Sequence, residues 1–398
     1  MNCTIVFSVH NLDLGKGGNG TVFVHSTFSG RFAVHVISTP VFHKAAQARA
    51  GSRCIGGIRM KAILLIFLFV TGLSSALAAG ETPPELPLPV ASFGATSTAD
   101  GALYFYGGHS GKRHKYNRDE VHGDLFRWKA GAGQWEALAK DEPAQGASLV
   151  AATDCVIRIG GMAARNAKGE KQDLWSSETA ARFDIASQQW KPLPKLPQRR
   201  SSHDSIVCDG ILYVIGGWCM EGDSDTVWHD TYLTLDLTQS DATWQSHPQP
   251  FKRRALAVQC SGSKVYAIGG MTDDNETTSA VSVLDTKTGQ WSDGPALPAG
   301  KIGGFGFAAV TQEGRLFASG VTGRLLELRG SEWVTVAKLA HPRYFHRLLS
   351  SGDGRIIAIG GESGEGAKAA PEVISVPSAD SKPLPEEAVP AKQAAKRP

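Results

Sequence analysis

The sequence predicts an all-β fold in which six four-stranded units close into a ring, a six-bladed β-propeller. The first observation behind this prediction is a short apolar phrase that ends in two glycines, such as ILYVIGG at residues 211–217, and that recurs along the chain. The second is a tryptophan that occupies the same place after most of these phrases. A repeat of about 50 residues with these features is typical of stacked β-blades.

Each phrase reads as a buried strand followed by a turn. Val, Ile and Tyr suit a pleated, buried strand, and two glycines allow the backbone to turn through positive φ without a Cβ clash. The fifth phrase is degenerate because Ser319 replaces its first glycine. The six phrases end at Gly108, Gly161, Gly217, Gly270, Gly320 and Gly361.

The remaining strands follow one order in each repeat. A first strand leads through a tight turn, Asp209-Gly210 in the third repeat, to the Gly-Gly strand. A variable polar loop, a third strand and a fourth strand that carries the tryptophan complete the unit. The repeated tryptophans, each a large apolar surface to bury, are Trp135, Trp190, Trp244, Trp291 and Trp333.

This pattern divides residues 80–377 into six blades, at 91–140, 146–198, 199–251, 252–299, 302–339 and 342–377. The sixth lacks a fourth-strand tryptophan. Residues 85–89, ELPLP, match the ends of earlier repeats, LPKLP at 193–197 and ALP at 296–298. We therefore expect the N-terminal segment to complete the last blade and to remove its open edge. Residues 378–398 are rich in Pro, Ala, Lys and Glu, and we expect a disordered tail.

The order of Gly-Gly pair, third strand and tryptophan resembles the kelch-repeat family, over about residues 86–376. The resemblance implies a closed six-bladed kelch propeller. The chain also resembles exported six-bladed kelch proteins such as the N-acetylneuraminate epimerases.

Residues 60–79 resemble a secretory signal peptide. Met60 and Lys61 precede an apolar core at residues 62–70 and a small-residue end at Ala76-Leu77-Ala78. A membrane anchor is the alternative, although the apolar core is short for a membrane span. We interpret residues 1–59 as a doubtful extension from an upstream start codon. The mature chain is then expected to be exported, to the periplasm or outside the cell, with no membrane span.

The charge of the body argues against nucleic-acid binding. The chain has a net charge of +3, but residues 1–59 contain six Lys/Arg and one Asp, so the part after Ala79 is slightly acidic. General nucleic-acid binding requires a concentrated basic surface.

Four cysteines lie in the body of the chain. An exported protein could pair them, and a bridge between Cys208 and Cys260, at equivalent places in neighbouring repeats, is conceivable. Buried unpaired thiols are the alternative. The chain has no CxxC or Cys/His zinc spacing, and we predict no metal site and no cofactor.

The candidate site follows from the topology of a blade. The loop after the Gly-Gly strand and the loop that leads into the next blade emerge on the same face. Arg side chains there suit carboxylate, sulfate or phosphate groups, and Trp218 could stack on a sugar ring. The candidate ligand-binding residues are Arg199, Arg200, Arg253, Arg254, Arg343, Trp218 and His229, and the candidate acid/base residues are His203, His346 and Glu362.

Some of these residues also have an interpretation that involves no ligand. An Arg before a blade often braces neighbouring blades in kelch-like repeats, although the doubled pairs at 199–200 and 253–254 are less easily explained by bracing alone. The histidines His109, His114 and His122 have no spacing typical of a metal site. Asn275-Glu276-Thr277 fits a glycosylation sequon.

Three functions compete. The first is a binding protein or scaffold, which we expect to be monomeric, whose Arg/His-rich central funnel takes an anionic carbohydrate or a protein partner. The second, implied by the resemblance, is a sugar mutarotase, which needs an acid and a base near the anomeric centre. The third, a copper radical oxidase, requires a Tyr/His copper set that does not stand out. Fold alone does not decide among them.

Overall fold

The computed structural model describes residues 21–26, 32–37, 81–298, 300, 302–364 and 366–385. The chain divides into two units, Met1–Val70 and Thr71–Pro398. The first contains an antiparallel hairpin of Thr21–Ser26 and Phe32–Ile37. The predicted signal peptide at 60–79 lies outside the described residues. No helix within the described ranges has the length and apolar character needed to cross a membrane.

The second unit is a six-bladed β-propeller, which confirms the predicted fold. Its blades are antiparallel sheets in which the strands follow one another in chain order. Blade one contains Gly94–Ser97, Leu103–Tyr106, Asp124–Trp128 and Glu136–Lys140; blade two contains Ser148–Ala151, Cys155–Ile159, Ala180–Asp184 and Gln189–Pro192; blade three contains Asp204–Cys208, Ile211–Ile215, Thr231–Asp236 and Gln245–Pro248.

Blade four contains Ala257–Ser261, Lys264–Ile268, Val281–Asp285 and Trp291–Gly294; blade five contains Ala308–Gln312, Arg315–Ser319, Arg324–Arg329 and Glu332–Lys338; blade six contains Arg347–Ser350, Arg355–Ile359 and Glu372–Ser375. Short antiparallel strand pairs lie on one face. Three are hairpins in the loops: Met162–Ala164 with Leu174–Ser176, Trp218–Cys219 with Val227–Trp228, and Glu362–Ser363 with Gly366–Ala367. The fourth pairs Arg253–Arg254, before the first strand of blade four, with Met271–Thr272, after its second strand.

The glycine pairs join each blade to the next. Gly216 and Gly217 both have positive φ, and the Gly217 N–H donates to the carbonyl of Arg253 in blade four at 2.8 Å. A Cβ at Gly216 would lie 2.5 Å from that same carbonyl oxygen. The pair is therefore required by both backbone conformation and close blade contact.

A closed ring of backbone hydrogen bonds surrounds the central axis. In each blade, the residue two positions before the first strand has a φ of 52° to 65°. It donates its N–H to the carbonyl of the equivalent residue in the preceding blade, at 2.6–3.3 Å. The sixth bond, from blade one back to blade six, closes the circle. We call this set the backbone ring; its members are Ser92, Gly146, Ser202, Ala255, Gly306 and Phe345.

An ion pair crosses the axis just below the backbone ring. Arg347 of blade six donates to the carboxylate of Asp204 in blade three at 2.9 Å and to the carbonyl of Phe93 in blade one at 2.9 Å. The other Asp204 oxygen accepts the N–H of Val258 in blade four. Because blades three and six are opposite one another, this pair ties four blades together across the channel.

The N-terminal segment bonds to blade six, but residues 81–90 form no strand there and blade six keeps three strands in the described structure, so the predicted completing strand is wrong. Leu86 donates its N–H to the Ala369 carbonyl of blade six at 3.0 Å, in the way that Leu196 and Leu297 bond within their own blades. The Trp135 indole of blade one donates to the Pro84 carbonyl at 3.0 Å. Trp244 and Trp333 donate in the same way to Pro194 and Pro295, each two residues before the corresponding leucine.

Two further contacts bear on predictions made from the sequence. Cys208 and Cys260 form a disulfide between the first strands of blades three and four. Of the two interpretations of these cysteines, the structure therefore has the bridge and not the unpaired thiols. In the described part of the predicted tail, residues 378–385, Leu384 donates its N–H to the carbonyl of Thr335 on the outer strand of blade five at 2.8 Å, and the prediction for residues 386–398 lies outside the described residues. Backbone bonding to an edge strand fixes a segment that has no apolar face.

Candidate functional site

A cavity of about 360 Å³ lies directly above the backbone ring, on the face where the loops after the glycine pairs emerge. We call it the funnel. Two positions of a blade contribute to its wall. One is the residue directly before the backbone-ring residue, and the other is the residue directly after the glycine pair. Tyr344 and Glu362, for example, exchange two backbone hydrogen bonds at 2.9 and 3.0 Å. Gln145 pairs in the same way with Met162.

Arg254 provides the positive charge of the funnel. Its guanidinium lies 4.0 Å from the ring centre of Trp218 and 5.5 Å from that of Phe305. Burial lowers the pKa of Arg254 to about 10, so the group is charged at neutral pH. No carboxylate forms an ion pair with Arg254 in the part of the chain that the structure describes. A partly buried cation without a counter-charge favours binding of an anion.

Several other buried polar atoms at the funnel wall have no hydrogen-bond partner among the described residues. They include the Tyr344 hydroxyl, Gln145 Nε2, Trp218 Nε1 and His109 Nε2. Burial raises the pKa of Tyr344 and lowers that of His109, which keeps the phenol protonated and favours the neutral imidazole. Unpaired buried polar groups are uncommon and destabilising. A ligand with oxygen acceptors would satisfy several of them at once.

One ion pair crosses the funnel between blades one and six. Arg113, from the long loop of blade one, contacts the carboxylate of Glu362 at 3.0 Å and lies 5.2 Å from the ring centre of Tyr344. The Arg113 side chain is 47% exposed, whereas that of Glu362 is 18% exposed. Because these two charges compensate each other, Arg254 remains as the excess charge. No His, Cys, Asp and Glu cluster suited to a metal ion occurs among the described residues.

Three predicted ligand-binding arginines are used by the fold instead. Each donates to the carbonyl of the first glycine of its own blade and to a carbonyl beside the third strand, at 2.7–3.2 Å. Their side chains are at most 2% exposed, so a ligand has no access to them. The bracing interpretation therefore describes these residues, and they are Arg200, Arg253 and Arg343.

Arg199 and His229 also lie away from the funnel. Arg199 forms an ion pair with Glu221 at 2.9 Å. His229 is buried with its Nε2 2.9 Å from the Arg199 carbonyl, and burial lowers its pKa to about 4. The histidine therefore supports the start of blade three rather than facing a ligand.

The two candidate catalytic histidines lie below the backbone ring. His203 contacts the Ser148 hydroxyl at 3.1 Å, and neither ring nitrogen of His346 has a hydrogen-bond partner in the described part of the chain. Both line a small cavity of about 50 Å³ inside the channel. Burial lowers the pKa of His346 to about 3 and that of His203 well below its usual value. The backbone ring separates both side chains from the funnel, so they do not fit the predicted acid/base role there.

Of the predicted set, the structure brings Arg254, Trp218 and Glu362 together at the funnel. Sequence reasoning missed Gln145 and Arg113. The signal for Gln145 is its spacing from the glycine pair. Arg200 and Arg253 each precede the first glycine of their own blade by 16 residues. The residue after each of them, Ser201 or Arg254, is therefore the funnel position of that blade. Gln145 stands at the same spacing from the first glycine of blade two. Arg113 depends on the path of a long loop and has no such signal.

The profile of the KLHDC2/KLHL20/DRC7 Kelch-repeats domain matches residues 95–320, which is more than half of the chain. Kelch-like protein terF of Aspergillus terreus is 24% identical over 257 residues, which cover 62% of this chain and 54% of the relative. Kelch-like protein 41b of Danio rerio is 25% identical over 45% of this chain and 30% of its own length. The chain thus spans about half of the first relative and under a third of the second.

The solved structure of YjhT superposes with a TM-score of 0.61, covering 76% of this chain and 99% of that one at 17% identity. This likeness concerns the fold. Together with the match over residues 95–320 and the six blades described above, it leads to one conclusion: the chain belongs to the kelch-repeat family of β-propellers.

Proposed function

We propose that the protein is an exported binding module whose funnel captures a small acidic carbohydrate. The observation that carries this proposal is Arg254, a partly buried guanidinium stacked on Trp218 without a carboxylate partner in the described structure. Tyr344, Gln145 and His109 add unpartnered polar atoms around it. The funnel volume of about 360 Å³ falls in the range of small-molecule pockets.

The proposed export has independent support in the covalent structure. The Cys208–Cys260 disulfide joins two blades, and structural disulfides persist in oxidising compartments outside the cytosol. The signal-like segment at residues 60–79 agrees with this location.

The binding proposal is tested by calorimetry of the full chain with N-acetylneuraminate, galacturonate and a sulfated disaccharide. Arg254→Gln should weaken binding about tenfold to a hundredfold, since a hydrogen bond to a charged group contributes about 1.5–3 kcal/mol. Arg182→Gln removes an equal charge on the outer part of blade two, where Arg182 pairs with Asp154, and should bind like the native chain. Absence of binding to all three sugars, or equal binding by Arg254→Gln, would refute the proposal.

Mutarotase activity is a second candidate because two possible proton carriers adjoin at the funnel wall. Glu362 and Tyr344 are backbone partners, and His109 lines the same cavity. An acid and a base near an anomeric centre are sufficient for this reaction. A polarimetric assay of anomer exchange decides it: Glu362→Gln should lower the rate while ligand binding persists, and a native rate equal to that of buffer would exclude it.

A scaffold for protein partners is the third candidate, since kelch propellers commonly bind proteins and the relatives are kelch-like proteins. The funnel favours a small ligand over this candidate because its unpartnered polar atoms lie inside a concave cavity rather than on an exposed surface.

A further inference from the structure

A second and larger cavity adjoins the funnel. It has a volume of about 1300 Å³ and lies among the loops of blades six, one and two. Arg113, Tyr116, Gln172 and Glu362 line both cavities, so the two share a boundary. We call the larger one the loop groove. A ligand that passes between these shared side chains would reach from the funnel into the groove.

The wall of the loop groove is a built structure. Asn166, only 6% exposed, donates from its side chain to the Tyr116 carbonyl at 2.9 Å and accepts the N–H of Asp173 at 3.0 Å. Arg118 donates its backbone N–H to the Asn166 carbonyl at 3.0 Å. These bonds join the long loop of blade one to that of blade two, so the groove keeps its shape without a ligand.

The groove presents an excess of positive charge. Lys112 and Lys115 line it and form no ion pair with a described residue. Two of the lining acids pair with cations, Glu120 with Lys168 at 3.2 Å and Glu362 with Arg113 at 3.0 Å. The third, Glu170, accepts the N–H of Ala167 at 2.7 Å and keeps its negative charge. Four Lys and Arg side chains therefore stand against three acids in the lining, which leaves one net positive charge in addition to that of Arg254.

We propose that the loop groove binds the further units of an acidic oligosaccharide whose terminal acidic unit occupies the funnel. This inference rests on the proposed function and deepens it, from a single acidic sugar to a chain that carries an anion on successive units. Lys112 and Lys115 contact the anions, and Tyr116 provides an apolar ring surface against which a sugar can pack.

An acidic peptide suits the groove less well. One recurring mode of peptide binding adds an extended peptide to a free strand edge. Glu362, on the short strand beside the groove, already pairs with Tyr344 on one side and with Ala367 on the other. The groove therefore offers charge and ring surface at this strand rather than an unpaired backbone edge.

The test compares monomers with tetramers by calorimetry on the full chain. The probes are N-acetylneuraminate and its α2,8-linked tetramer, and galacturonate and its α1,4-linked tetramer. At least one tetramer should bind about tenfold more tightly than its monomer, because each exposed charge contact adds up to about 1 kcal/mol. Replacing both groove lysines, Lys112→Ala with Lys115→Ala, should remove that gain and leave monomer affinity unchanged.

A charge-matched control replaces two other lysines, Lys264→Ala with Lys287→Ala, at the end of blade four that lies away from its glycine pair. This double variant should alter neither the monomer affinity nor the tetramer affinity. Equal affinity of monomer and tetramer, with Arg254-dependent monomer binding, would overturn this inference alone. Absence of binding by every probe would overturn the proposed function as well. Lysine-dependent binding of a tetraglutamate peptide as tight as that of the tetramers would overturn the assignment to carbohydrate.

Discussion

Neighbouring side chains at the start of each blade have different roles, because residues on either side of a backbone-ring residue lie on opposite sides of the ring. The residue before the ring faces the funnel, as Arg254 does, and the residue after it lines the channel, as His346 does. The two doubled arginine pairs show the consequence. In blade three the second arginine is the brace, whereas in blade four the first is, which leaves Arg254 for the funnel.

The buried histidine below the ring should make stability depend on pH. The pKa of His346 is lowered to about 3 by burial and by Arg343 and Arg347, whereas an unfolded chain has a histidine pKa of about 6.5. The unfolded state therefore takes up the proton first. Stability is full above pH 6.5 and falls by about 1.4 kcal/mol per pH unit below it, toward pH 3.

Urea unfolding at pH 7.5 and 5.0 measures this effect. His346→Leu, with the residue that Leu256 provides at the same place in blade four, should reduce the loss on acidification by about 2 kcal/mol. His341→Gln, a change at an exposed histidine, should leave the loss unaltered. An unchanged pH dependence in His346→Leu would show that this site does not control the acid response.

At the scale of the strand and its turn, the glycine pair is where the repeat meets its neighbour. Gly216 has a φ of +71°, and an added Cβ would lie 2.5 Å from the Arg253 carbonyl oxygen. Gly262, in the first turn of blade four, has a φ of +59° with open space around it. The two positions thus share backbone strain and differ in packing.

Replacing each by alanine separates these costs. Gly262→Ala should lower the free energy of unfolding by about 1–2 kcal/mol, the cost of positive φ alone. Gly216→Ala should lower it by about 2–5 kcal/mol, because overpacking adds to that cost. Chemical denaturation of both variants provides the comparison. Equal losses would mean that the blade contact yields freely and that the pair is needed only for its turn.

At the scale of the whole molecule, three connections make six blades one body. The N-terminal segment bonds to both blade six and blade one, the Cys208–Cys260 disulfide joins blades three and four, and the Arg347–Asp204 ion pair spans the channel. Removing one partner of a buried ion pair is strongly destabilising. The funnel is positioned by this frame, since its wall residues come from loops of separate blades.

Contact of the N-terminal segment with blades one and six predicts a large effect from a small change within residues 81–90. Leu86 is 4% exposed and packs among the aromatic residues of blade one and the strands of blade six. Leu86→Ala should lower the free energy of unfolding by about 2–5 kcal/mol. Leu384→Ala, at a 39% exposed leucine, should change it by less than about 0.5 kcal/mol. Similar, small losses in urea unfolding would contradict this contact with the two blades.

The sequence by itself determined the architecture, because the information is local and repeated. Apolar strands, Gly-Gly ends, the tryptophan of each of the first five units and the ELPLP segment each depend on short-range conformation or on the neighbouring repeat, and all reappear in the structure. Arg254, Trp218 and Glu362 were found for the same reason: topology places loops after the glycine pairs on one face.

Only the tertiary structure decided which charged groups are available to a ligand. Arg200, Arg253 and Arg343 precede the first strand of a blade, as Arg254 does, and the sequence does not distinguish them from it. In the structure their guanidinium groups donate to backbone carbonyls inside the blades. His203 and His346 fall below a ring of hydrogen bonds that no local pattern reveals. Burial and hydrogen-bond satisfaction depend on contacts between residues far apart in the chain, and these exist only once the blades have closed.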